Sequence, residues 1–142
     1  MIFFESRRLS VRRKKKTVHI LDHLRNCQQS ELNAELMYLA LAKYAKTDKD
    51  RDTFLKIAGQ KKRHSEIFQH LTNEKMRPKK KRALIVSYLF KIFDRKGLYP
   101  LIAFLEYRAH FRTGDLARRF SSVREVWNDQ KKHGDMVAKL VY

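Results

Sequence analysis

Apolar side chains recur along most of the chain at alternating steps of three and four residues, the spacing of one face of an α-helix. The pattern is interrupted by the polar stretch 47–50, by Pro78, by the stretch 94–97 and by the serine pair 121–122. These interruptions separate four long helices and one short helix. Their approximate predicted limits are 17–46, 51–73, 83–93, 98–120 and 123–141. The predicted fold class is therefore all-α.

The connections between the predicted helices differ in length. Residues 47–50 join the first two long helices and residues 121–122 join the last two, whereas the connection between the two pairs spans residues 74–97 and contains the short helix. One long crossover is the ferritin-like arrangement rather than that of a simple up-and-down bundle. We therefore predict that residues 17–142 form one domain, a ferritin-like four-helix bundle with one long crossover.

The residues before the first predicted helix are strongly basic. Residues 1–16 end in Arg12-Arg13-Lys14-Lys15-Lys16 and are predicted to be a mobile leader. The whole chain has 33 Lys and Arg against 15 Asp and Glu, a formal net charge of +18. This charge favours an anionic partner, either nucleic acid or a membrane surface. The alternative is a solvated basic surface, because no nucleic-acid motif with interleaved aromatic residues is present.

The cysteine content and the hydropathy of the chain indicate the cellular compartment in which the protein functions. Cys27 is the only cysteine, which excludes an intramolecular disulfide and a CxxC site and favours a reducing environment. The longest apolar run, residues 36–42, stops at Lys43 and is far shorter than the roughly 20 residues of a membrane-spanning helix. The sequence therefore predicts a cytoplasmic protein without a transmembrane segment.

Each of the four long helices carries polar or ionisable residues near the middle of its apolar stripe. Leaving such groups buried without partners would cost several kcal/mol each, roughly. They must therefore meet one another, a metal ion or water. The residues are Glu31 on the first long helix, Lys61 and His64 on the second, Glu106 on the third, and Gln130 and His133 on the fourth.

Two of these helices repeat a spacing that has chemical meaning. Glutamate and histidine three residues apart lie on one helical face, and carboxylate-bridged di-metal bundles use this Glu-x-x-His pair to bind a metal. Here the histidines His64 and His133 are present, but Lys61 and Gln130 stand at the glutamate positions. The chain thus has a near-copy of a metal-binding pattern with two of its carboxylates replaced.

Four segments carry a resemblance to a known family. ELNAELMYLALAK, LKIAGQKKRHSEIFQHLT, GLYPLIAFLEYRA and WNDQKKHGDMVAKLV resemble, in order, the four helices of rubrerythrin-type ferritin-like domains. The similarity covers about residues 24–142. It is closest to the ferritin-like domains that precede the membrane domains of iron-transporter proteins.

The resemblance implies a di-metal site with six protein ligands. Members of the family bind two iron or manganese ions and act as non-haem iron oxidoreductases. The positions that keep a ligand residue type, and are therefore candidate metal ligands, are Glu31, His64, Glu106 and His133. The replaced positions are Lys61 and Gln130. Asp129 is expected to orient a histidine, and His110 is a weaker candidate ligand.

Charge balance separates three possible states of this site. Glu31 and Glu106 contribute −2 and a protonated Lys61 adds +1, so two divalent ions would leave about +3 in a poorly polarisable interior. Two ions are therefore disfavoured. One iron or manganese ion held by the four remaining ligands is an alternative. The charge balance favours a third state without metal, in which Lys61 bridges the two glutamates.

Three functions follow from these states and from the basic charge of the chain. The first is a ferritin-like domain with a degraded di-iron site, little or no oxidase or peroxidase activity, and a structural or interaction role. The second is a metal-binding protein that handles iron or peroxide, with one ion. The third is a basic module that binds an anionic surface. We also predict a homodimer formed by helix packing.

Overall fold

The computed structural model describes the backbone of residues 2–141 and the side chains of residues 12–14 and 19–141. This part of the chain contains five α-helices and no strand, which confirms the predicted all-α class. None of these helices is both long and apolar enough to cross a bilayer. The helices are α1 (Ile2–Tyr44), α2 (Asp48–Thr72), α3 (Lys81–Ile92), α4 (Arg95–Arg119) and α5 (Val123–Lys139).

The first helix is much longer than predicted. The predicted start near Thr17 is wrong, because α1 begins at Ile2. Residues 2–44 contain neither Gly nor Pro, so no helix-breaking residue separates the basic run from the rest of the helix. The mobility of the leader, residues 1–16, remains a prediction. Met1 and most of the leader's side chains lie outside the described residues.

Side-chain caps set the starts of two other helices. The Thr47 hydroxyl accepts a hydrogen bond from the Asp50 N–H at 3.1 Å, so α2 begins at Asp48. In the same way the Asp94 carboxylate accepts from the Gly97 N–H at 3.1 Å, and α4 begins at Arg95 rather than near Leu98. The predicted limits of the other helices agree with the structure to within about three residues.

The long helices pack in two pairs. α1 packs chiefly against α2 and α4 against α5, while α3 lies on α1 and smaller contacts join α2 to α5 and α1 to α4. Gly134 allows the close approach of α5 to α4, because a Cβ atom there would lie 2.6 Å from the ring of Tyr107. The two pairs are connected by residues 73–94, which include α3.

The interior contains two apolar clusters with a polar layer between them. The layer consists of Glu31, Lys61, His64, Glu106, Gln130 and His133. Along each long helix these residues fall between the residues of one cluster and those of the other. The larger cluster includes Tyr38, Leu41, Phe54, Ile57, Tyr99, Ile102 and Val137. The smaller cluster includes Leu24, Phe68, Leu116, Val123 and Val126. Burial of these apolar side chains supplies the main driving force for folding and fixes the helices around the polar layer.

Candidate functional site

The polar layer brings together all six residues that the sequence pattern singles out. Every one of them is buried, with between 0% and 3% of its surface exposed. They come from α1, α2, α4 and α5, so each long helix contributes to the layer. The residues are Glu31, Lys61, His64, Glu106, Gln130 and His133.

Lys61 occupies the centre of this layer. Its Nζ lies 2.9 Å from Glu106 Oε2 and 3.3 Å from Glu31 Oε2. The ammonium therefore bridges a carboxylate of α1 and a carboxylate of α4, as in the metal-free state considered from the sequence. Because all three groups are removed from water, their mutual contacts must offset a desolvation cost of several kcal/mol per ion, roughly.

Glu31 is held by two further contacts around this ion pair. Gln130 Nε2 donates to Glu31 Oε1 at 3.1 Å, and His64 Nδ1 lies 3.4 Å from Glu31 Oε2. Burial acts to raise the pKa of the Glu31 carboxyl, but Lys61 and then His64 outweigh burial and lower this pKa to about 2. Glu31 is consequently a carboxylate throughout the ordinary pH range.

Glu106 has a partner that the sequence did not suggest. The hydroxyl of Tyr38 donates to Glu106 Oε1 at 2.6 Å, while the other carboxylate oxygen accepts from Lys61. Burial, followed by the charge of Glu106, raises the pKa of the Tyr38 hydroxyl well above its usual value, so Tyr38 remains a donor. Tyr38 lies on the apolar stripe of α1, where a buried tyrosine usually needs a partner for its hydroxyl. A tyrosine on this stripe was therefore the sequence feature that could have indicated a polar partner in the layer.

His64 lies between two carboxylates. Its Nε2 is 2.8 Å from Asp129 Oδ2 and its Nδ1 faces Glu31, so both ring nitrogens have an acidic partner. Burial acts to lower the pKa of this imidazole, but Glu31 and then Asp129 outweigh burial and raise it. The expectation that Asp129 orients a histidine is consistent with this contact. A protonated His64 supplies a second positive charge beside Lys61.

His133 has a different environment although its ring stacks on His64 with centroids 5.7 Å apart. Its Nε2 lies 2.5 Å from Gln60 Oε1, whereas its Nδ1 is 3.9 Å from Glu106 Oε2 and has no hydrogen bond among the described residues. Burial, followed by the charges of Lys61 and His64, lowers the pKa of His133 to about 3. His133 is therefore neutral where His64 favours its charged form.

A metal ion fits these residues poorly as they stand. An ion shared by Glu31 and Glu106 would have to lie close to the position of the Lys61 ammonium, and two cations cannot share that space. The ring nitrogens of His64 bind the carboxylates of α1 and α5, and His133 Nε2 binds Gln60. In the part of the chain that the structure describes, no group of three or more His, Cys, Asp or Glu side chains is arranged to hold a metal.

His110, the weaker candidate ligand from the sequence, lies outside this layer, and so does Asp135 of α5. His110 Nδ1 is 2.6 Å from the backbone carbonyl of Trp127, and its ring stacks on the Trp127 indole. Asp135 accepts a hydrogen bond from the hydroxyl of Tyr107 at 2.5 Å. Both side chains therefore join α4 to α5 rather than contribute to the polar layer.

The structure contains a second buried ionic group that the sequence pattern did not predict. Asp50, which the sequence places in the polar connection 47–50, has no exposed surface. Arg95 Nε lies 2.9 Å from Asp50 Oδ2, and the hydroxyl of Tyr99 donates to the same oxygen at 2.8 Å. This group ties the start of α2 to the start of α4. Its residues belong to predicted loop and helix ends, where periodicity gives no information on burial.

Comparisons of the chain with family models, with curated proteins and with solved structures give no match. The contacts of the polar layer are therefore the basis of the functional conclusion.

The histidine pair predicts a pH dependence of stability. His133 has its pKa lowered from 6.5 to about 3 on folding, so the unfolded chain binds a proton there that the folded chain does not. The contribution of His133 to the free energy of unfolding is fully present above its unfolded pKa of 6.5 and decreases as the pH falls below that value. We expect the free energy of unfolding to drop by about 1.5 kcal/mol between pH 6.5 and pH 5, measured by urea denaturation.

The His133→Phe variant isolates the contribution of His133 in this pH range. The pKa of His64 is raised on folding, so its contribution is complete below the unfolded pKa of 6.5 and is lost only at higher pH. The pKa of Glu31 is lowered from 4.5, and its contribution is lost only as the pH falls below that value. His133→Phe should flatten the profile, whereas His70→Gln at an exposed site should leave it unchanged. A slope that survives in His133→Phe would contradict the assignment.

Proposed function

We propose that this chain is a ferritin-like domain of the rubrerythrin type in which a buried lysine salt bridge replaces the metal centre. Its role is then structural or that of an interaction module, with little or no oxidase or peroxidase activity. The homodimer and the anionic partner suggested by the sequence remain predictions.

The order and packing of the helices support the ferritin-like part of the proposal. α1 with α2 and α4 with α5 form two pairs with short links, and α3 lies in the long connection between them. This order is that of a ferritin-like four-helix bundle with one long crossover. The polar layer at mid-height, with a contribution from each long helix, corresponds to the position at which such bundles hold their ligands.

The position of the Lys61 ammonium is the observation that carries the proposal. A cation at 2.9 Å and 3.3 Å from two buried carboxylates provides the positive charge that Glu31 and Glu106 require. Gln130 has a neutral amide where the family that the sequence resembles has a further carboxylate. This amide donates a hydrogen bond to Glu31. Both replacements reduce the negative charge available to an ion, and the resulting layer is already balanced internally.

Without two metal ions, the protein would also lack the oxidase or peroxidase chemistry that the family resemblance implies. Reduction of oxygen or peroxide by two electrons is easiest when two metal ions share the electrons. The residues present in the layer hold protons and charges in fixed places. They therefore stabilise the helix arrangement rather than supply a redox step.

Metal content tests the proposal. We expect the protein purified without chelator to contain less than about 0.1 equivalent of iron, manganese or zinc, because the ammonium excludes a divalent ion from its position. Elemental analysis provides the measurement, and anaerobic addition of ferrous iron should leave the unfolding temperature unchanged. One tightly bound equivalent would favour the alternative of a mononuclear metal protein, and two would overturn the proposal.

A further inference from the structure

A cleft between α1, α3 and α4 adjoins the polar layer. It encloses about 310 Å³, which is at the lower end of the range for small-molecule pockets. The Lys61 salt bridge forms part of its floor. Its mouth is formed by Ile85, Leu101 and Leu105, which are 47%, 46% and 38% exposed. Large apolar side chains left open to water around a cleft indicate a surface that a ligand covers.

One end of the cleft is basic. Arg82 of α3 and Arg112 of α4 line this end together with Ser30 of α1, and Arg82 Nη1 lies 3.3 Å from Ser30 Oγ. Arg108 lies one helical turn before Arg112 on the same face of α4. Among the residues that the structure describes, neither Arg108 nor Arg112 has a hydrogen bond or a salt bridge. This end therefore presents two guanidinium groups that have no anionic partner within the described part of the chain.

The opposite end of the cleft is apolar. Met37, Leu89 and Leu101 line it. Ring contacts show that α3 runs toward this end, since Phe90 lies 6.3 Å from Tyr44 and 6.1 Å from Tyr99 between ring centroids. Leu101 and Arg112 are eleven positions apart on α4, which places the two ends roughly 16 Å from each other along the helix. The cleft thus changes from apolar to basic along its length.

We propose that this cleft binds an anionic single-chain amphiphile, an acyl chain with a carboxylate or phosphate head. The chain would cover the exposed side chains at the mouth and reach toward Met37 and Leu89. The head would accept charge-assisted hydrogen bonds from Arg108 and Arg112. A second copy of the protein suits the cleft less well, because the net charge of +18 opposes self-association around these arginines. The proposal goes beyond the proposed function and does not depend on the metal content.

Binding of dodecanoate below its critical micelle concentration provides the test. We expect saturable one-to-one binding in calorimetry. Decanoate, which is two methylenes shorter, should bind about tenfold more weakly. Dodecan-1-ol, which lacks the charge, should bind at least about tenfold more weakly than dodecanoate. Dodecyl phosphate should bind at least as tightly as dodecanoate, because the proposal requires an anionic head and not a particular acid.

Two charge-matched double variants distinguish the cleft from the general charge of the protein. Arg108→Gln with Arg112→Gln should weaken dodecanoate binding by about tenfold or more. Arg118→Gln with Arg119→Gln removes the same charge from exposed positions of α4 outside the cleft and should change the affinity by less than about twofold. Circular dichroism establishes that both variants are folded.

Three results would overturn the proposal. Equal losses in the two double variants would show that net charge alone attracts the ligand. Absence of saturable binding to any of the amphiphiles would show that the cleft takes none of them. Binding to phosphatidylserine vesicles without one-to-one uptake of dodecanoate would assign the basic residues to a membrane surface instead.

Discussion

Replacement of Lys61 by methionine is expected to destabilise the protein by about 3 kcal/mol. The substitution keeps most of the side-chain volume but leaves Glu31 and Glu106 buried, with their shared cation removed. Urea denaturation at pH 7 measures the loss directly. For a chain of this size the same change should lower the unfolding temperature by about 10 °C.

Two further variants show whether the effect comes from unpaired charge. Lys62→Met changes the neighbouring, exposed residue of α2 and should alter stability by less than about 0.5 kcal/mol. Adding Glu31→Gln and Glu106→Gln to Lys61→Met should recover much of the loss, because replacement of a whole buried ionic group costs less than removal of one partner. A Lys61→Met variant as stable as the native protein would contradict the central position of the ammonium.

Lys61→Glu combined with Gln130→Glu is expected to create a di-metal site. The two substitutions place a carboxylate at each of the two positions where the family that the sequence resembles has a glutamate ligand. Glu31 and Glu106 then become part of a set of four carboxylates with His64 and His133. We expect about two equivalents of ferrous iron or manganese to bind, as in di-metal carboxylate bundles. Without metal, repulsion among the carboxylates should destabilise the variant, so its unfolding temperature should rise steeply with metal concentration.

The control for this variant changes the same charge at the surface. Lys62→Glu with Asn128→Asp also alters the net charge by −3, but at exposed positions on the same two helices. It should bind no more metal than the native protein, as measured by elemental analysis after desalting. A folded Lys61→Glu/Gln130→Glu protein that remains metal-free would show that Lys61 and Gln130 do not stand at ligand positions.

Periodicity was sufficient to predict the helices and the members of the polar layer. The three- and four-residue spacing places Glu31, Lys61, His64, Glu106, Gln130 and His133 on the inward faces, and all of them are buried. Such prediction works because a polar residue on an otherwise apolar stripe has few alternatives to burial. The contact of Lys61 with both glutamates follows from charge balance, since the buried carboxylates require a cation.

The partners of the histidines could not be obtained in this way. His64 and His133 occupy equivalent positions in the two near-repeats, yet one has Asp129 and Glu31 as partners and the other has Gln60. This difference depends on side-chain rotations and on the spacing between helices, which a one-dimensional pattern does not contain. The start of α1 was missed for a related reason. The basic composition of residues 1–16 predicts a leader before the helix, but repulsion between like charges is weak compared with continued backbone hydrogen bonding.

A crystal structure of the protein purified without chelator, with anomalous data collected at the iron and manganese edges, tests the central claim most directly. The Lys61 salt bridge predicts electron density for the amine between Glu31 and Glu106, within hydrogen-bonding distance of both, and no anomalous peak in the polar layer. An ion bound between these carboxylates, with the Lys61 side chain displaced from them, would contradict it.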